Sequence, residues 1–263
     1  MSQFISLTPF DIALASGFIL LASGLSLYLR LGVEKKLFIA AFRTIVQLSL
    51  VGFVLEAIFS LKSPILVISL LFFMALVAGR EAAARSRKRY AYMFFDTTLS
   101  MSLSAFIVGV IVTQIILGVK PWYHPQYVIP LIGLILGNSL NGISLALDTF
   151  VDYLLSRKSE IELFLAYGAS RQEAMNRAFR AAVTKGLVPI INAMSVAGIV
   201  SLPGMMTGQI LAGAPPLQAV AYQILVMFML AGAYAIGAIC VVWLAGRRLF
   251  SSEPRFKKEI LKN

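Results

Sequence analysis

Three methionines, Met194, Met205 and Met206, flank a stretch where a helix cannot run undisturbed. Thioethers are soft, uncharged donors that favour Cu(I)-like ions over hard cations. Pro203 removes a helical hydrogen bond, and Gly204 loosens the chain beside it. Discontinuous helices within a membrane expose backbone groups to a cavity. Asn192, Ser195, Ser201, Thr207 and Gln209 add polar atoms to the same stretch. Methionine also fills irregular gaps in a packed core, so a path lining and a packing role both stand for these residues. A second constellation is Asn138 and Asn141, whose spacing puts both amides on one helix face. Such amides are costly in hydrocarbon unless partnered; they either join helices or line a path. Gly133 and Gly137 mark a close helix–helix contact on the same segment.

No phosphate-binding loop, zinc-protease helix, nucleophile elbow or Cys/His cluster accompanies them. Cys240 is the sole cysteine, which excludes a disulfide within the chain. The spans hold almost no mid-membrane carboxylates, which argues against proton or cation coupling. Work done by such a protein must come from another polypeptide.

The elements that position these residues are membrane helices. The chain has 263 residues, is 59% hydrophobic and has a mean hydropathy of +0.85. Uncharged stretches such as Ile12–Leu29, Ser63–Gly79, Thr97–Val119 and Pro121–Leu147 are each long enough to span a bilayer. The net charge of +11 is concentrated in a few clusters, so it indicates a positive-inside topology and anionic lipid contact, not nucleic acid. The expectation is an all-α, polytopic transmembrane bundle of about seven spans, residues 1–263 forming a single domain. Its N-terminus lies outside and its C-terminus in the cytoplasm. The first hydrophobic segment lacks a basic n-region and reads as a membrane helix, not a cleaved signal. The third span ends at Gly79, Arg80–Asp96 reads as a helical extension, and the sixth span covers Leu187–Leu211.

One polar island, Asp148–Lys185, interrupts this pattern; from Gly186 to Gly246 there is no Asp, Glu, Lys or Arg. Asp148–Tyr167 continues the fifth span out of the membrane, and Gly168 breaks it. Ser170 followed by Glu173 is a capping box that starts a second helix. Ala174, Ala178 and Ala182 form its packed stripe, and Arg177 and Arg180 its polar side. The island reads as a cytoplasmic helical docking element for a soluble partner, the alternative being a structured surface connection between spans.

Four segments carry a family resemblance: FRTIVQLSLVGFVLEAIF at Phe42–Phe59, VIPLIGLILGNSLNGISLAL at Val128–Leu147, LAYGASRQEA at Leu165–Ala174, and the long run Val196–Leu230. In this order they resemble the FetB-type (YbbM-like, UPF0014) ABC transporter permease family. That family includes bacterial iron-export permeases and plant membrane subunits connected with aluminium tolerance. The resemblance implies a non-catalytic permease subunit that exports iron or a related metal ion. It also implies a homodimer of permease subunits in a bacterial inner membrane. A plastid or vacuolar membrane is the other location open to the family.

The region around Glu162, Gly168 and Ala169 resembles the coupling loop of ABC permeases. With Ser170, Arg171, Glu173 and Arg177 it is the expected contact for a cytoplasmic ABC ATP-binding subunit. ATP and Mg would be bound by that partner, and no cofactor by this chain. Many importer permeases place a proline soon after the loop glycine; here the next is Pro189, which speaks against an importer. Met194, Met205, Met206, Asn138 and Asn141 are the expected metal path. Fe(II) prefers nitrogen and oxygen donors, which the amides supply weakly. The alternatives are export of an organic solute such as a sugar nucleotide, or a membrane scaffold that transports nothing.

Overall fold

The computed structural model describes residues 8–86 and 89–250 and the backbone of residues 261 and 262. The expectations for Arg87, Lys88 and the basic tail over 251–260 lie outside the described residues. The chain divides into two compact units, Met1–Ser63 with Leu211–Gly213, and Pro64–Ile210 with Ala214–Asn263. The sequence reads as one domain; the division follows the sparse packing of its first two helices.

In the first unit α1 (Pro9–Tyr28) and α2 (Glu34–Leu61) form a helical hairpin. Thr8 and Asp11 close a reciprocal capping box at the start of α1, and Pro9 occupies its first turn. The connection turns through Arg30 and Gly32, both at positive φ. The Ser26 hydroxyl fastens it by donating to Glu34 at 3.0 Å and accepting from the Val33 amide at 3.2 Å. α2 buries only Ile58. A long, largely apolar helix with nearly all of its side chains exposed is suited to hydrocarbon as its solvent.

The second unit contains α3 (Pro64–Arg85), α4 (Met93–Val110) with a π-helical end over Ile111–Ile116, α5 (Pro125–Ser156), α6 (Lys158–Ala166), α7 (Arg171–Val196), α8 (Gly204–Leu211) and α9 (Pro216–Leu249). α5 and α9 are its axis. On α5 the buried run Ile135, Ser139, Ile143, Ala146, Phe150 and Leu154 follows helical spacing. On α9 Leu230, Ala233, Gly237, Val241, Ala245 and Leu249 do the same. α7 packs on both through Ala174, Ala178, Ala182, Gly186 and Ile190, one residue every fourth position.

Small residues let the three backbones meet. A Cβ on Gly186 would lie 2.8 Å from the Ala146 Cβ and 2.9 Å from the Gly142 carbonyl oxygen. A Cβ on Gly142 would lie 2.8 Å from the Gly186 carbonyl oxygen and closer still to Tyr234. The close contact is therefore Gly142–Gly186, and the expectation for Gly133 and Gly137 is corrected. Gly137 faces open space, and Gly133 meets only the mobile end of Met74.

Among the described residues, six helices are long and apolar enough to cross a membrane: α1, α2, α3, α4 with its π-helical end, α5 and α9. The sequence expects about seven spans. The difference is the Leu187–Leu211 segment, which is the end of α7, an irregular turn and α8, not one helix. The extension expected over Arg80–Asp96 also divides. α3 ends at Arg85, Tyr92 takes a left-handed conformation, and α4 starts at Met93. The short strands Arg89–Tyr90 and Leu261–Lys262 pair antiparallel, a minor exception to the all-α expectation.

Candidate functional site

The polar island folds as a helical corner. α5 ends at Ser156, about three turns short of the continuous helix expected over Asp148–Tyr167, and α6 follows from Lys158 as a separate helix. Gly168, at φ 89°, ends α6. Its amide donates to the Leu165 carbonyl at 3.1 Å, and the Ala169 amide to the Phe164 carbonyl at 3.0 Å. This is the Schellman arrangement, which satisfies carbonyls at a helix end and calls for a residue without a Cβ.

Ser170 then opens α7. Its amide and hydroxyl each donate to a Glu173 carboxylate oxygen at 2.7 Å, and the Glu173 amide donates back to the hydroxyl at 3.3 Å. The Ser170 hydroxyl, then its N–H, hold the Glu173 carboxyl below the usual carboxylate range. The capping box expected from sequence is thus formed.

Glu160 ties the corner together. It receives Arg157 at 3.0 Å from the end of α5 and Arg177 at 2.9 Å from α7. Arg177 also stands over the Phe164 ring at 5.9 Å. Glu162, instead, pairs with Lys158 on its own helix at 3.3 Å. Ile161, Leu165, Ala174 and Met175 are buried beneath, whereas Leu163, Phe164 and Tyr167 point outward, Tyr167 being 84% exposed. Sequence reading includes Glu162, Gly168, Ala169, Ser170, Arg171, Glu173 and Arg177 in the corner and misses Glu160 and Tyr167. Only the folded return of α7 against α6 distinguishes Glu160 from Glu162.

A second network ties α4 to α9 and to the segment before α4. Asp96, fully buried, accepts from the Tyr90 hydroxyl at 3.0 Å and from Arg248 Nε at 3.4 Å. Arg248 also lies over the Tyr92 ring at 4.8 Å. Burial, then the Asp96 charge, pushes the Tyr90 phenol up from its ordinary value. Nearby, the Ser86 hydroxyl donates to Asp148 at 2.6 Å.

The third feature is a cavity of about 500 Å³ beside the break after α7. Ala197 is extended, Gly198 has φ 82°, and the Gly198 amide donates to the Ser201 carbonyl at 2.9 Å. The helix therefore opens at Ala197, before the Pro203–Gly204 pair from which the interruption is read. Met194, Met206, Met227 and Gln223 line the cavity with Ile224 and Phe228.

Of the five residues expected to form a metal path, the structure brings Met194 and Met206 to this cavity. Met205 packs against the hydrophobic core. The Asn138 amide donates to the Leu134 carbonyl at 2.9 Å, and the Asn141 amide oxygen accepts from Arg85. Met227 and Gln223 are missed as partners of the break because their place beside it is a tertiary fact. Among the described residues, no cluster of three or more His, Cys, Asp or Glu side chains could hold a metal ion.

Comparison with known proteins places this architecture. The profile of an uncharacterised protein family, UPF0014, matches residues 9–250. The UPF0014 membrane protein slr1647 of Synechocystis is 38% identical over 86% of this chain and 87% of its own length. The probable iron export permease protein FetB of Escherichia coli is 31% identical over 94% of each chain. The Arabidopsis thaliana protein ALUMINUM SENSITIVE 3 is 31% identical over 92% of this chain and 87% of its own. No solved structure matches. Six apolar helices and a family match that runs from the first helix to the end of the last make this chain a membrane protein of the UPF0014 family.

Proposed function

We propose that this protein is the membrane subunit of an ABC-type exporter of iron or a related metal ion. A separate cytoplasmic subunit binds ATP and Mg and docks on the α6–Gly168–α7 corner; two permease subunits form the membrane part. This chain hydrolyses nothing itself. The observation that carries the reading is the continuity of α7. It begins at the capped corner, packs along α5 and α9, and ends at the cavity beside Met194. A partner bound at the outward-facing Leu163, Phe164 and Tyr167 thereby acts on a helix that reaches the cargo space. The resemblance to a relative named as a probable iron export permease supports the metal. A bacterial plasma membrane is the corresponding location.

The cavity volume, about 500 Å³, favours a second cargo reading, an organic solute. A sugar nucleotide is the weaker form of it, because no charged side chain lines the cavity to meet a phosphate.

The test is co-expression with a candidate ABC ATP-binding subunit, then reconstitution of the pair in vesicles. Fe(II), other metal ions and sugar nucleotides are then supplied in turn. ATP-dependent metal flux supports the reading; organic-solute flux without metal flux refutes its cargo. Failure of the two proteins to associate refutes the subunit assignment and favours a scaffold.

A further inference from the structure

Gln223 and Met227 stand four residues apart on α9, so both side chains leave the same helix face. Both line the cavity that Met194 reaches from the end of α7 and Met206 from α8. Three thioethers from three different helices thus face one space. Gln223 is only 7% exposed, and its carbonyl oxygen has no hydrogen-bond partner among the described residues. That oxygen is itself shielded from the open space, so Gln223 borders the cavity through the rest of its side chain. Met227 also packs against the hydrophobic core, but Met194 is 37% exposed and the space beside the three methionines stays open, where a purely gap-filling methionine would close it.

The chemistry of this donor set is specific. Thioether sulfur is neutral and polarisable, and it selects soft monovalent ions of the Cu(I) type over Fe(II), Zn(II) or Mg(II). A neutral lining suits a single positive charge better than a double one, because no carboxylate offsets the desolvation of a divalent ion.

We infer that Met194, Met206 and Met227 form a binding site for a soft monovalent cation of the Cu(I) class. This deepens the metal-export reading and rests on it only for the ion's being cargo. Binding is a property of the isolated chain, so its failure is separable from a failure of partner association or flux.

The experiment titrates Ag(I), a redox-stable stand-in for Cu(I), into the detergent-purified full chain in chloride-free buffer. A Cys240→Ala background removes the one thiol. X-ray absorption reads the scattering neighbours of the ion. The expected result is one ion per chain with sulfur neighbours, not displaced by equimolar Zn(II) or Fe(II). Replacing all three methionines by leucine, a near-isosteric change, weakens binding by about 100-fold or more. Met205→Leu leaves it unchanged. If the triple variant does not fold, the Met206→Leu/Met227→Leu pair takes its place. Undiminished Ag(I) binding by the leucine variant, absence of stoichiometric binding by the folded wild-type chain, or a co-purified lipid chain holding the cavity against Ag(I) each overturns the site.

Discussion

Replacing Gly168 with alanine isolates the backbone demand of the corner. Gly168 sits at φ 89°, and a Cβ there would meet no atom within 4 Å. The substitution therefore introduces no clash; its cost is that of holding an L-residue in the left-handed region, about 1–2 kcal/mol. The penalty falls on the local state in which the Gly168 and Ala169 amides reach the Leu165 and Phe164 carbonyls. At about 1.4 kcal/mol per factor of ten, the open corner becomes about 5–30 times more populated. Hydrogen exchange at residues 168, 169 and 173 accelerates by that factor, while α5 and α9 keep their protection. If the proposed ATP-binding partner docks on this corner, its stimulated ATP hydrolysis falls while association persists. Gly137→Ala is the control: it too meets no atom within 4 Å, but in a regular helix, and it is neutral or stabilising. Unchanged exchange at the corner, or acceleration spread evenly into α5 and α9, would refute the argument that Gly168 acts locally through its conformation.

Three further outcomes follow from particular contacts. Gly186→Ala overpacks the α5–α7 contact against a carbonyl that cannot move aside; we expect a loss of about 1–3 kcal/mol, read as a lowered unfolding temperature in detergent. Because hydrogen bonding depresses the folded-state pKa of Glu173, its stabilisation is present above the unfolded value near 4.5. That stabilisation is lost as pH falls through the depressed value. Exchange at the start of α7 should rise at acid pH in the wild type, and Glu173→Gln should flatten that dependence. Arg248→Ala leaves Asp96 buried without its cation, so it should destabilise more than Arg247→Ala, whose guanidinium lies over Trp243. Equal melting temperatures for the two variants would show that the Asp96 pair carries no special weight.

Local chemistry is what the sequence makes legible. The Ser170–Glu173 spacing is a capping box in the sequence and in the structure, because both partners lie within one helical turn. The alanine stripe on α7 is legible for the same reason. What sequence spacing does not carry is the pairing between helices. A glycine pair at Gly133 and Gly137 has the spacing of a helix contact, yet nothing lies against Gly137, while the single glycines 142 and 186 meet. Asn138 and Asn141 share spacing but have separate partners, one of them Arg85 on another helix. Proline marks the break near α8, but the backbone leaves the helix at Ala197, because Gly198 adopts positive φ and folds back to Ser201. Met227 joins Met194 and Met206 only once α9 lies beside that break.

α7 has 26 residues, so at 1.5 Å each it is about 39 Å long. It is a beam pivoted near its middle, where Gly186 nests against Gly142 and Ala146. A tilt of about 5° about that pivot carries the Arg171 end through about 2.0 Å and the Val196 end through about 1.3 Å, in opposite directions. Pro189 removes one rung just beyond the pivot, so the beam has a compliant short arm and a stiff long one. The long arm carries the capped corner and the short arm ends beside Met194. Displacement imposed at one end thus arrives at the cavity reversed in sign, through a single part with no slack at its fulcrum.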